Sequence, residues 1–434
     1  MSNPEPSRAA PTVPVVDPPA TLPQSRGLRS NRNFQLLWGG SAVSLLGLEA
    51  ADIAYPLTIL AITGSPAWAG VFGSVQLIAA LLTGLPAGDL LDRHDPRRIL
   101  IIAEVLRLGV MGGIAAAIAF DHVDLWYLMI AAAVLGAVLP VSSGARMIIL
   151  RAVVPGEHLT SALARDEVRT SAAMLAGPPL GSLLFSLSRV LPFLTVAGSF
   201  LISTLTAMFI RIPARPAPQE ATSAEKPPTV GYFARMASGL VAVWSDVTLR
   251  GAVLLVAAIN TAGAPLVLIV VVVLRQRDTP PWLIGVVTSA LALGGVAGAA
   301  LIKPLHRLRP GLILILLGAV EAAVFALLAL PWGPVWAAAM MFCAMLGVPS
   351  LRVLVDVLIF RQVQPEVRGR VVAGVMTLFT LGAPIGVGLS GVLLSTLPAS
   401  TALLALAAAL AVTVAAALFS RTLRTARWPG EAAP

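Results

Sequence analysis

Apolar stretches of about 20 residues, the length that crosses a bilayer as a helix, follow one another from Phe34 to the region of Arg421 with only short polar breaks. Twelve can be marked off, at 34–60, 67–91, 99–120, 124–150, 162–187, 190–211, 249–274, 281–303, 310–330, 332–360, 369–396 and 399–420. The composition agrees, with 57% of the 434 residues hydrophobic and 12% charged, against roughly a quarter charged in soluble domains. A water-soluble fold is excluded. The expectation is an all-α integral membrane protein surrounded by the lipid bilayer.

Residues 1–33 carry Pro, Ser and Arg but no apolar h-region, which predicts a disordered cytoplasmic tail and not a cleaved signal peptide. Basic residues set the orientation. With the N-terminus inside, Arg93, Arg97, Arg98, Arg151, Arg165, Arg169, Arg211, Lys303, Arg307, Arg368 and Arg421 fall on the cytoplasmic side, and only Arg189, Arg275 and Arg277 outside. The net charge of +9 is thereby accounted for by topology, and no nucleic-acid partner is expected. Trp68, Trp126, Trp282, Trp332 and Trp336 fall at outer helix ends and Trp38 and Trp244 at inner ends, as belt residues. The single Cys343 excludes an intrachain disulfide and reads as a packing residue. A multi-pass protein of the bacterial inner (plasma) membrane follows, with both termini cytoplasmic.

Between the sixth and seventh stretches, Pro213, Pro216, Pro218, Pro227 and Pro228 mark a linker. The predicted units are six-helix bundles over 34–211 and 249–421, a cytoplasmic linker over 212–248 and a tail over 422–434. The halves correspond. Arg151-Ala-Val-Val-Pro155 returns as Arg361-Gln-Val-Gln-Pro365, and Gly177-Pro178-Pro179-Leu180-Gly181 as Gly382-Ala383-Pro384-Ile385-Gly386. Internal repeats of this kind are common in transporters.

Gly88-Asp89-Leu90-Leu91-Asp92-Arg93-His94-Asp95-Pro96-Arg97-Arg98-Ile99-Leu100 lies between the second and third helices. It resembles the signature loop of the major facilitator superfamily, matching at Gly88, Leu90, Asp92, Arg93, Arg97 and Leu100. Asp95 stands where the family has its second glycine and Pro96 where it has a basic residue. Asp95 is usual in the branch of drug:proton antiporters that includes macrolide efflux proteins and the enterobactin exporter. Asn33-Phe34, Leu37-Trp38, Val154-Pro155-Gly156-Glu157 and Pro365-Glu366-Val367-Arg368-Gly369-Arg370 are similar to that branch too. The resemblance implies two pseudo-symmetric six-helix bundles around a central cavity. It also implies a cytoplasmic gate in which Asp92 contacts the start of the eleventh helix near Gly369 while the arginines grip nearby carboxylates. Gly177, Pro178 and Gly181 resemble the antiporter motif of superfamily exporters, with Ser182 where a second glycine is usual; ordinary close helix packing explains the same residues.

Ionisable groups inside a bilayer cost on the order of 2.5 to 3.5 kcal/mol at helix centre, so each is a functional candidate. Glu49 and Asp52 are three residues apart and share a face of the first helix. Two like charges in low dielectric favour holding a proton, although polar glue or capture of a cationic cargo fits the pair as well. Glu321, midway along the ninth helix, reads as peripheral, lipid-facing or packing, and Asn260 is a further candidate. Glu104 with Arg107 and Arg352 with Asp356 have the spacings of self-neutralising pairs, and a cavity-facing Arg352 would also suit an anionic cargo. Arg146 reads as a gate or as a snorkelling residue.

Neither Lys226 nor Lys303 follows a glycine, so no nucleotide-binding phosphate loop is present. His94, His122, His158 and His306 are scattered over loops without ligand spacing, and no metal or other cofactor is expected. A proton gradient is then the energy source. The expected function is secondary active export of small lipophilic molecules, an antibiotic, siderophore or other natural product, by a monomer working through alternating access. An importer or facilitator of the same fold is the alternative; a polytopic enzyme or receptor fits less well, because the unusual polar residues lie inside helices.

Overall fold

A computed structural model describes residues 28–211, 244, 247–305, 307–354 and 365–425, with the backbone alone from 365 to 379. Residues 212–243 of the expected linker over 212–248, the first 27 residues, Asp356 and Arg361 lie outside the described residues.

In hydrocarbon a backbone must satisfy its own hydrogen bonds, and helices do so within one segment. The first half comprises α1 (Arg32–Thr63), α2 (Pro66–Arg93), α3 (Pro96–Ala119), α4 (Leu125–Val153), α5 (Leu159–Leu187) and α6 (Leu191–Phe209). In the second half α7 is split into Val247–Gly263 and Leu266–Arg275, and α8 into Pro281–Thr288 and Ala290–Ala299. Then come α9 (Pro310–Leu328), α10 (Pro334–Leu346, apolar through Leu354), α11 (Pro365–Thr396) and α12 (Ala399–Phe419). Eleven of the twelve are long and apolar enough to cross a membrane over the described residues; of α11 the described apolar part is Thr380–Thr396. Large apolar side chains such as Leu82, Ile130, Val412 and Phe419 point outward, an arrangement that suits lipid and not water.

The helix ends are written locally. Asn31, Asp95 and Asp124 cap α1, α3 and α4, each side chain accepting from a backbone N–H two or three residues on. Asp95 with Pro96 thus starts α3, since proline at the first helical position loses no needed donor. Gly64, at φ 65°, ends α1 in the left-handed conformation.

Three expectations are corrected. The continuous seventh helix breaks at Ala264 and Pro265, where the proline has no N–H for the ladder and its ring crowds the preceding turn. The fifth helix starts at Leu159, ahead of the expected 162, and carries Arg165 and Arg169 toward its basic end. Trp38 is half-buried with its Nε1 donating to the Arg165 carbonyl at 3.4 Å, an interior residue and not a belt residue.

Within the first half α1 packs on α5 and α6, α2 on α4, and α3 on α4 and α6; in the second half α7 packs on α11, α8 on α10 and α9 on α12. The halves meet through α2 against α11 and α5 against α8. Those contacts lie toward one end. Ser74 Oγ donates to the Pro384 carbonyl at 2.8 Å, Ser182 Oγ to the Trp282 carbonyl at 3.3 Å, and Gly70 faces Gly391 backbone to backbone. Arg93, Arg97 and Arg151 mark the opposite, basic end.

Candidate functional site

A cavity follows α1 from the basic end to the middle of the molecule. Near the basic end it is lined by Trp38, Ser41 and Leu45 of α1, Arg107 of α3, Ser142 and Arg146 of α4, and Asp166, Arg169 and Thr170 of α5, with a volume of about 250 Å³. Leu48 and Leu139 continue into a second stretch of about 330 Å³ lined by Asp52, Tyr55 and Gln76. Ala264, Val267 and Leu268 of α7 and Val387 of α11 close that stretch from the second half. Together the two have the size of a small-molecule site.

Asp52 is exposed to this cavity, on a wall otherwise mostly apolar. Glu49, one turn back on α1 and half-buried, is close enough for the two charges to interact. Tyr55, a turn further on, is buried between the Phe72 and Phe193 rings at 4.7 and 5.9 Å, its hydroxyl 3.6 Å from Met111 Sδ.

The glycines of α5 bear directly on this pair. A side-chain carbon at Gly177 would collide with Glu49 Cβ, and one at Gly181 with the Ala50 carbonyl oxygen. On its other face the same segment meets α8, where a carbon at Gly285 would strike Ser182 Oγ and the Pro178 carbonyl. The Gly177–Ser182 segment is therefore held between the carboxylate step of α1 and the opposite half. Ser182, where the family motif has glycine, is the residue that hydrogen bonds across. The repeat holds in the second half, where Gly382 and Gly386 press on Thr261 of α7 while Pro384 accepts from Ser74 of α2.

Glu104 is fully buried and forms the expected pair with Arg107, Oε1 to Nη1 at 3.6 Å. It has more partners than that. Arg146 Nη2 binds the same oxygen and donates to Ser44 Oγ at 2.8 Å, and Ser44 Oγ donates to Glu104 Oε2 at 3.2 Å. Arg146 is thus tied to a buried carboxylate and does not snorkel. Arg169 Nη1 bonds Asp166 Oδ1 at 2.9 Å.

In the signature loop Asp92 and Gly88 are exposed, and Arg93 pairs with Asp89 at 2.9 Å. Among the described residues Arg97 grips no carboxylate. Its Nε donates to the Ala207 carbonyl at 3.1 Å and its Nη2 to Met208, neutralising the C-terminal end of α6. The expected Asp92 partner near Gly369 and the side chain of Arg368 fall where the backbone alone is described.

Glu321 is 8% exposed, which overturns a lipid-facing role. It packs on α7, its Oε1 2.6 Å from where a carbon at Gly263 would stand, just before the helix break. Asn260 is half-buried a turn earlier, and Arg352 is exposed on α10. Ser44, Tyr55, Gln76 and Asp166 had no sequence signal beyond being polar groups in apolar helices.

The sequence profile described as Major Facilitator Superfamily matches residues 37–386. Macrolide efflux protein A of Streptococcus pyogenes is 25% identical over 183 residues, 42% of this chain and 45% of that protein, so less than half of that relative's length is spanned. The multidrug efflux pump Tap of Mycobacterium tuberculosis is 24% identical over 378 residues, 83% of this chain and 87% of the pump. Among solved structures, the nucleoside transporter NupG superposes with TM-score 0.70 at 14% identity, over 90% of this chain and all of that one. A bacterial homologue of the iron transporter ferroportin, in an inward-facing state, superposes with TM-score 0.66 at 16% identity over 92% and 99%.

Proposed function

The chain belongs to the major facilitator superfamily, and from that premise we propose that it exports small lipophilic molecules in exchange for protons. The observation that carries this reading is Asp52, a carboxylate at the middle of α1 that is exposed to an otherwise mostly apolar cavity. An ionisable group at this depth is costly to keep, which makes Asp52 the candidate to carry the proton. Glu49 beside it and the Gly177–Ser182 segment behind it supply a route from titration to motion. That segment touches both the carboxylate step and α8, so a change at α1 is felt where the halves meet.

Taking the basic end as cytoplasmic, the halves are in contact on the outer side and the cavity extends toward the cytoplasm. This corresponds to the inward-open stage of alternating access. Asp92 and the start of α11 close the cytoplasmic side at the other stage. Efflux relatives at 24–25% identity favour the outward direction.

The test is cargo movement in proteoliposomes under an imposed pH gradient, with the membrane potential clamped. Each pH unit supplies about 1.4 kcal/mol per proton, enough for roughly a tenfold cargo gradient. The expected result is gradient-driven accumulation on the side equivalent to the cell exterior, abolished in Asp52→Asn. Accumulation in the opposite sense would make the protein an importer. Movement indifferent to the pH gradient would leave the carboxylate pair as packing or cargo-binding groups.

A further inference from the structure

We infer that the basic stretch of the cavity recognises an anionic group, and that the cargo is a lipophilic acid. The inference rests on the reading above that this cavity is the cargo route. Three guanidinium groups, Arg107, Arg146 and Arg169, converge on one wall from α3, α4 and α5. Among the described residues only two carboxylates answer them, Asp166 to Arg169, and Glu104 shared between Arg107 and Arg146. One positive charge is left uncompensated beside a low-dielectric cavity, and a buried charge without a partner is costly.

The donor inventory agrees. Among the described residues Nε of Arg107, Arg146 and Arg169 and Nη2 of Arg107 have no hydrogen-bond partner, and Arg107 is 2% exposed. Arginine presents five donors in a rigid fork that matches an oxyanion. Three of the nearby hydroxyls are occupied, since Ser142, Ser143 and Thr170 each donate to a carbonyl of their own helix. Charge recognition at this wall therefore falls mainly to the guanidiniums. Arg146 and Arg169 retain side-chain exposures of 17% and 11%, so both are reachable from the cavity. Leu45, Leu48, Leu139 and Met147 line the space beside them and suit an apolar body. The proton carrier Asp52 lies in the neighbouring stretch, so proton and cargo charge occupy separate places.

The experiment measures equilibrium binding to the purified full chain in lipid nanodiscs with no gradient, so its outcome does not depend on direction or proton coupling. The probes are a dansylated undecanoate, its methyl ester and inorganic phosphate. The acid is expected to bind about tenfold or more tightly than the ester. Arg169→Gln removes most of that preference while ester binding, which reports an intact cavity, stays unchanged. Arg169→Lys, which keeps the charge and loses the fork, retains part of the preference and stands in if the glutamine variant fails to fold. Equal binding of acid and ester overturns the inference, as does binding of neither, or an acid preference that survives Arg169→Gln. Binding of phosphate with no binding of the acid also overturns it, because the wall would then hold a small inorganic anion and no cargo.

Discussion

The two halves share one packing scheme and differ in chemistry. On α5 and α11 the same small residues do the same thing, pressing Gly177 and Gly181 onto α1 and Gly382 and Gly386 onto α7 while the opposite face meets the other half. Among the described residues the charges are not repeated. Glu49, Asp52, Glu104, Arg107, Arg146, Asp166 and Arg169 all belong to the first half, whereas the charged side chains described away from helix ends in the second are Glu321 and Arg352. The first helix of each half shows the contrast best. α1 runs unbroken for 32 residues with its acids on it, while α7 breaks at Pro265 and meets its acid, Glu321, from a neighbouring helix. Rocking needs matched levers on both sides; coupling to an ion needs a carboxylate on only one.

The largest expected contrast is in stability. Glu104→Leu leaves the buried Arg107 and the half-buried Arg146 facing each other without their carboxylate and costs about 3–5 kcal/mol, read as a large fall in the detergent unfolding midpoint. Glu321 has no ion-pair partner among the described residues, so Glu321→Leu is expected to change stability by about 1 kcal/mol or less. Equal losses would break the comparison. Next come Gly181→Val and Gly386→Val, where the new side chain meets backbone carbonyls that cannot move aside. Each should cost about 1–3 kcal/mol, and a loss at one site only would show that the packing is not doubled.

In transport, Asp52→Asn is expected to lower gradient-driven flux about tenfold or more, roughly 1.4 kcal/mol of coupling, while Glu321→Gln stays within about twofold. A reversal would move the coupling acid to the second half. The smallest effect is at the seams between halves. Ser182→Ala and Ser74→Ala each remove one hydroxyl–carbonyl bond, and unfolding midpoints should fall by an amount equivalent to about 1 kcal/mol, similar for both.

The twelve spans were legible because hydropathy is a property of each segment, and the ends that fall on described residues move by only a few residues. The break in α7 was not. Proline alone does not decide it, since Pro56, Pro86, Pro140, Pro178, Pro179 and Pro384 all sit inside helices that continue. The Glu104–Arg107 spacing exposed its own pair, but Arg146 is 42 residues from Glu104 in sequence, and no helical periodicity links them. The start of α5 at Leu159 lies a few residues ahead of the expected 162, because a helix does not begin where its apolar run does. The Gly177–Gly181 motif was visible, whereas its contact with Glu49 required knowing which helix lies alongside.

The seam at the end away from the arginines is made of facing glycine backbones at Gly70 and Gly391 and two hydroxyl–carbonyl bonds, with no ion pair among the described contacts. Dissolved salt, which weakens charged latches, has little to act on there. What resists or assists its parting is the sideways squeeze of the surrounding acyl chains and their thickness. The lipid composition of the host membrane, more than the ionic strength on either side of it, then sets how readily that end opens.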